Sequence, residues 1–404
     1  MQKKPHLGFV SPVFLFPNDA GGKIRTTNIL RTLMGGAFEI TLISVASAFQ
    51  EQQWHHELAS VCDKFIRWEP SPSKPIWRRA FDLLSRLPIN VVADRSVAGL
   101  RAVEKLTSDV DLDVVVFDFV HSAVLLPPSL SCPSVCFTHN VEAEIFDRHA
   151  KQARDPPRRF IWSSQHRKML RFERDALRRF DSVIAVSERD AEQFRTRYAI
   201  ADARAIPTGV DLDFFTWSRP PIVDQESVPK IVFTGSMNWM PNIEGVKYFL
   251  QEVWPLVLRS IPNALFVVVG KSPPVALTQL ASQVRGVQFT GFVDDVRPYV
   301  HAAHAFVIPL FVGGGTRIKA FEAMAMGCPL VSTSIGMEGL NAQADIHYLL
   351  RDEASSMANA LITLLRNDQL RNQMSIDARR LVEGEFGHKV AGKVFEEICL
   401  SLVH

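Results

Sequence analysis

Residues Val307–Leu340 read VIPLFVGGGTRIKAFEAMAMGCPLVSTSIGMEGL, and the fold turns on how this stretch is parsed. Val307–Leu310 is a short apolar run of the kind a buried parallel strand needs. Gly313, Gly314 and Gly315 follow, three residues that admit backbone angles closed to others and let a ligand approach the main chain. Thr316 is placed to cap a helix that carries Arg317, Lys319 and Glu322 and ends near Gly327. Pro329–Ser332 returns as a second apolar strand. Strand, glycine loop, helix, strand is a βαβ unit whose helix N-terminus offers free N–H groups to an anion. Arg317 and Lys319 sit in the first turn, where the helix dipole opposes them, so a bound anion would offset their cost. A glycine-rich turn alone also occurs in α/β proteins without a ligand, and a lone Glu322 would by default face solvent.

The whole string, continued through EAMAMGCPLVST, is more specific than its parts. It resembles the donor-nucleotide segment of the retaining glycosyltransferases of GT-B fold grouped as family 4. The resemblance is dense over residues 204–386 and looser before that, carried there by PNDAGGKIR, THNVE and VSERD. It implies an α/β protein of two Rossmann-like domains whose parallel sheets face each other across a cleft. The first domain is expected over 1–205, a linker over 206–229 and a donor-binding domain over 230–386, with a C-terminal helix of about 387–404 returning to the first domain.

Composition agrees with a globular reading. The chain has 404 residues, 47% hydrophobic and 22% charged, enough for two or three domains. A net charge of +2 argues against a nucleic-acid partner. Five cysteines, at 62, 132, 136, 328 and 399, fit neither a zinc site nor a disulfide framework and read as buried thiols. The N-terminus enters a strand directly without a signal-peptide core. No apolar run approaches the roughly 20 residues needed to span a bilayer. The expectation is a cytoplasmic protein, peripheral at most on the inner face of the plasma membrane.

In the first half, Leu7–Val10 reads as a buried strand, a long loop carries Gly21 and Gly22, a helix runs from about Ile24 to Leu33, and Ile40–Ser44 is the next strand. Arg25 falls in that helix's first turn. Strands recur at Val114–Phe117 and Val135–Thr138, the latter ending in Thr138, His139, Asn140, Val141 and Glu142. In an open α/β sheet, residues just past a strand's carboxyl end line the ligand crevice. A histidine there is also at home as a satisfied structural group. By resemblance, His139 reaches the donor sugar, while Gly21, Gly22, Arg25, Asn140 and Glu142 border the cleft on the acceptor side. Residues 151–180 hold ten Lys/Arg against three acids. Trp162, Met169, Phe172 and Leu177 give the stretch an apolar side. It reads either as a solvated helix packed on the domain or as a basic amphipathic helix against anionic lipid. Trp77–Leu87 is a second candidate of that kind. Asp181–Ser187 is a further strand, IPTGVD resembles the family's interdomain link, and the proline-rich run from Ser218 to Lys230 reads as a hinge.

In the second half, strands at Ile231–Thr234, Pro262–Gly270 and Gln288–Gly291 alternate with helices, which predicts a parallel sheet covered on both faces. Residues after Arg379 read as one last helix. The resemblance assigns the donor to Gly235, Ser236, Asn238, Gly291, Phe292, Val293, Gly314, Gly315 and Thr316, with Arg317 and Lys319 on the phosphates and Glu322 on the ribose. Two positions depart from the family. Gly314 stands where many members have the first of two glutamates, and Ser236 and Pro241 stand where many have an Arg and a Lys aimed at the pyrophosphate. Arg317 and Lys319 are then the replacement for that missing charge.

The expected reaction moves a sugar from a UDP- or GDP-linked donor to a hydroxyl of a glycan or lipid-linked acceptor with retention, in bacterial surface-polysaccharide assembly. No metal or cofactor is expected, and Asp294–Asp295 reads as helix capping. Two other readings remain open on the sequence: a sugar-nucleotide epimerase of GT-B fold, and a non-catalytic nucleotide-sugar-binding partner of another transferase.

Overall fold

A computed structural model describes residues 4–18, 21–70, 85–153, 155–222, 228–237, 239–311, 318–338 and 340–403. Asn238, Gly313, Gly314, Gly315, Thr316 and Arg317, and most of the Trp77–Leu87 stretch, lie outside the described residues. The chain divides into two units, Met1–Gly209 with His388–His404, and Val210–Gly387.

The first unit is built on a parallel sheet of seven strands: β1 His6–Ser11, β2 Glu39–Val45, β3 Lys64–Trp68, β4 Val114–Asp118, β5 Ser134–Phe137, β6 Ser182–Ala185 and β7 Ala203–Ala205. Their order is β3-β2-β1-β4-β5-β6-β7. Strands such as Val114–Phe117 are apolar at every position because helices cover both faces of the sheet, so no side chain alternates out to water. The direction of winding reverses between β1 and β4, which opens a crevice at their carboxyl ends. Ser11 closes β1 and Asp118 closes β4 at this point.

The second unit repeats the plan with six strands: β8 Lys230–Thr234, β9 Leu265–Val269, β10 Val287–Gly291, β11 Ala305–Ile308, β12 Leu330–Ser332 and β13 Leu349–Leu350. Their order is β10-β9-β8-β11-β12-β13, with the reversal between β8 and β11.

The end of the chain differs from the single last helix expected after Arg379. The Asp368–Leu381 helix runs into a π-helical turn over Val382–Phe386, and Gly387 is extended before a separate helix, His388–Leu400, begins. Phe386 stacks on Phe321 of the second unit at 4.2 Å. Beyond the break, Phe395 is fully buried against Phe9 and Phe137 of the first sheet, and Glu396 Oε1 accepts the Ala37 N–H at 2.8 Å.

The start of the segment read as a hinge, with Trp217 just before it, is tied to the second unit. Trp217 Nε1 donates to Ser375 Oγ at 2.9 Å, Ser218 N–H to the Met326 carbonyl at 3.2 Å, and the buried Arg371 to the Pro221 carbonyl at 3.2 Å. Ile206 is buried in the first unit and Val210 in the second, so the division falls between them.

Candidate functional site

Each unit gathers polar groups at the carboxyl edge of its own sheet. In the second unit this edge is stripped of side chains. Gly235, Gly270 and Gly291 follow or end β8, β9 and β10, joined by Gly235 N–H to the Val269 carbonyl at 2.9 Å and Gly270 N–H to the Gly291 carbonyl at 3.2 Å. A Cβ on Gly270 would fall 1.9 Å from the Gly235 carbonyl oxygen, so only glycine permits this approach of the two chains. Gly291 has a φ of +72° with open space beside it, and Phe292 next to it is 70% exposed. An exposed aromatic ring beside a bare backbone has a free face on which a planar group could stack. Val293, by contrast, packs against the core.

Lys319 belongs to the Ile318–Ala325 helix that follows β11, yet its ammonium reaches the end of β8. Its Nζ donates to the Thr234 carbonyl at 2.8 Å and to Asn242 Oδ1 at 3.0 Å, and lies 4.3 Å from the centre of the Phe233 ring. Asn242 Nδ2 donates in turn to the Ser236 carbonyl at 2.8 Å, tying down the loop after β8. The charge thus stands beside Gly235, where a Cβ would come within 2.8 Å of Nζ. Glu322, nearly a turn further along the helix, is mostly covered. Burial pushes its carboxyl up to about 7, with Lys319 acting in the opposite sense. Asp295 accepts the Arg297 backbone N–H at 2.9 Å at the start of the Arg297–His301 helix and pairs with the Arg297 guanidinium at 2.8 Å.

In the first unit, Gly21 and Gly22 open the helix Gly21–Leu33, which starts three residues earlier than expected. Arg25 is therefore past the first turn and buried, its Nε without a hydrogen-bond partner. Burial lowers its pKa to about 10, with Asp190 and Asp118 pulling it back up. His139, just past β5, is also buried. Its ring stacks on Phe119 with centroids 4.1 Å apart and hydrogen-bonds Asp118 Oδ1 through Nε2 at 2.7 Å. A Cβ on Gly22 would strike the Phe119 ring at 2.7 Å and come 3.7 Å from His139 Nδ1, so Gly22 is the lid over this stack. Phe119 has a φ of +63°, a strained value for a residue with a Cβ. Its N–H to the Phe137 carbonyl (2.8 Å) and the Ser122 hydroxyl on its own carbonyl (2.7 Å) hold it there.

Asn140 is half-buried, with its Nδ2 3.5 Å from Glu142 Oε1. Glu142 begins the Glu142–Gln152 helix, and burial raises its pKa. The helix N-terminus is satisfied from outside: Glu173 accepts the Glu142 N–H at 2.7 Å, the Ala143 N–H at 3.2 Å and the Tyr198 hydroxyl at 2.7 Å. Burial pushes Glu173 up to about 8 despite these three donors. Asn242, Asp118 and Glu173 escaped the reading of the sequence. Each acts through a partner tens of residues away in the chain, and only Asp118, directly after an apolar strand, carried a positional signal.

Residues 26–214 match the family described as Glycosyltransferase Family 4, and residues 228–367 match Glycosyl transferases group 1. Among curated proteins, the phosphatidyl-myo-inositol mannosyltransferase of Mycobacterium leprae is 28% identical over 196 residues, covering 47% of this chain and 51% of that one. The chain thus spans about half the length of the curated relatives it matches. Among solved structures, sucrose-phosphate synthase from Thermosynechococcus elongatus superposes with a TM-score of 0.67 at 15% identity, covering 99% of both chains. Anabaena HepE in complex with UDP-glucose gives 0.65 at 13% identity, covering 98% of this chain and 100% of that one. With one family matched on each unit and two parallel Rossmann-like sheets of the GT-B type, the chain belongs to the family 4, group 1 glycosyltransferases.

Proposed function

We propose that the protein transfers a sugar from a UDP- or GDP-linked donor to a hydroxyl of a glycan or lipid-linked acceptor, with retention of the anomeric configuration. The observation that carries this reading is Lys319, whose ammonium stands at the end of β8 beside Gly235. There it can meet the pyrophosphate that the absent Arg and Lys of other members would have met. A departing nucleoside diphosphate gains negative charge in the transition state, and a fixed cation stabilises that state more than the ground state. Glu322 would accept the ribose hydroxyls, and Phe292 would border the base beside Gly291. Arg317 and the N–H groups of Gly315 and Thr316 would complete the phosphate site. The leaving phosphate helps deprotonate the acceptor, so no protein nucleophile is needed. The bound UDP-glucose of Anabaena HepE supports a UDP-linked donor.

The mannosyltransferase relative is named for a phosphatidyl-inositol substrate, which supports a lipid-linked acceptor. The helix Pro156–Leu177 supports it too, since the exposed Phe160 shares one helix face with the exposed Arg167 and Arg171. That face suits an anionic bilayer surface, and no helix among the described residues is long and apolar enough to cross one. Surface-polysaccharide assembly is the process this combination fits.

The test is a panel of UDP- and GDP-sugars read out as released nucleoside diphosphate, with and without acceptors. Acceptor-stimulated release supports transfer. Tight donor binding without turnover would make the protein a non-catalytic partner, and turnover with no acceptor requirement and a changed sugar ring would make it an epimerase.

A further inference from the structure

Asp118 belongs to none of the positions the family resemblance assigned, yet it is the centre of the first unit's polar cluster. It is fully buried at the end of β4. Four contacts reach its carboxylate. His139 Nε2 is 2.7 Å from Oδ1, Thr26 Oγ1 is 3.1 Å from Oδ1 and 3.0 Å from Oδ2, and Ser11 Oγ is 3.1 Å from Oδ2. An ionised carboxylate only accepts, so the His139 Nε2 facing it must carry a proton. In a neutral imidazole the other nitrogen is then a bare acceptor. His139 Nδ1 is buried and has no hydrogen-bond partner. Burial lowers the His139 pKa, with Asp118 opposing, which favours the neutral ring.

We propose that Asp118 is a positioning residue: it locks His139 in the Nε2–H tautomer and so reserves the Nδ1 lone pair for a hydroxyl of the ligand. A phosphate oxygen without a proton has nothing to donate to Nδ1, so His139 selects a neutral hydroxyl. The ring lies between Phe119, stacked at 4.1 Å, and Phe137, tilted at 4.5 Å, and its Nε2 hydrogen bond to Asp118 sets its orientation. The catalytic consequence rests on the transferase reading above; the tautomer itself does not.

The test is a long-range proton–nitrogen correlation spectrum of the full chain labelled with ¹⁵N-histidine, the His139 signals being those lost in His139→Gln. The expected result at pH 7.5 is a protonated Nε2 and an unprotonated Nδ1. In Asp118→Asn, which can donate as well as accept, the pattern should shift to mixed or Nδ1–H forms. With an active donor, kcat should fall at least about tenfold, by analogy with partners that orient metal-bound histidines, while the donor KM changes far less. Asp118→Asn combined with His139→Gln should lose no more than His139→Gln alone. An Nδ1–H tautomer in the wild type, which needs no variant to fold, would overturn the proposal, as would Asp118→Asn with unchanged tautomer and kcat. Failure to find any turnover would count against the transferase reading and leave the tautomer assignment to the spectrum.

Discussion

Replacing Lys319 by methionine removes one charge while keeping most of the side chain's length and apolar volume. Two quantities should respond, and by separable amounts. The first is catalysis. If the ammonium beside Gly235 meets the leaving diphosphate, its loss removes about 3–4 kcal/mol of transition-state stabilisation, a fall of roughly a hundredfold to a thousandfold in kcat. The donor KM should change much less, because the charge matters most where it is largest, in the transition state. The second is stability. The Thr234 carbonyl and Asn242 Oδ1 both lose a donor, and one acceptor left unsatisfied costs about 1–3 kcal/mol. Loss of the cation over the Phe233 ring adds roughly 0.5–1 kcal/mol. For a unit of this size each kcal/mol lowers Tm by about 2–4 °C. Rates measured at 25 °C and normalised to folded protein separate the two effects. Lys319→Arg should rescue little, because a planar guanidinium cannot replace a compact ammonium packed this closely on Gly235. A Lys319→Met enzyme that loses stability but keeps near-wild-type kcat would refute the catalytic reasoning and leave Lys319 a structural tie.

Other predictions follow from the same geometry. Glu322 titrates near 7, and a ribose hydroxyl donating to it favours its ionised form, so nucleotide affinity should strengthen as pH rises from about 5.5 to 8, by roughly tenfold. Titration calorimetry of UDP or GDP checks this. Glu322→Gln should flatten the dependence to whatever the phosphate itself contributes, and an unchanged slope in that variant would place the titration elsewhere. Phe395→Ala should destabilise the first unit by about 3–5 kcal/mol, because the ring is fully buried against Phe9 and Phe137. Calorimetry that left the first unit's transition in place would contradict this. All five cysteines are buried, and burial raises Cys62 to about 12 and Cys132 to about 11. A thiol reagent should therefore find almost nothing in the native protein at pH 8 and five thiols in denaturant.

Much of the fold was legible because strands covered on both faces leave continuous apolar runs, as in Val114–Phe117 and Ile231–Thr234. Short edge strands such as Leu349–Leu350 leave no such run and went unread. The placement of the candidate residues His139 and Gly235 just past strand ends was legible. What could not be read was direction and partner. Glu173 sits in a basic helix and looks like a solvated charge, yet it caps another helix 31 residues upstream. Arg25 reads as a first-turn helix cation and is buried. The two strands that bring Ser11 and Asp118 together are separated by more than a hundred residues, and only the sheet order makes them neighbours.

On this reading the second unit holds the leaving group at the end of β8. A crystal structure with UDP or GDP bound tests it most directly. Diphosphate oxygens should lie within hydrogen-bond distance of Lys319 Nζ, ribose hydroxyls on Glu322 and the base beside Phe292. A nucleotide bound away from Gly235, with no phosphate oxygen near Lys319 Nζ, would refute that placement.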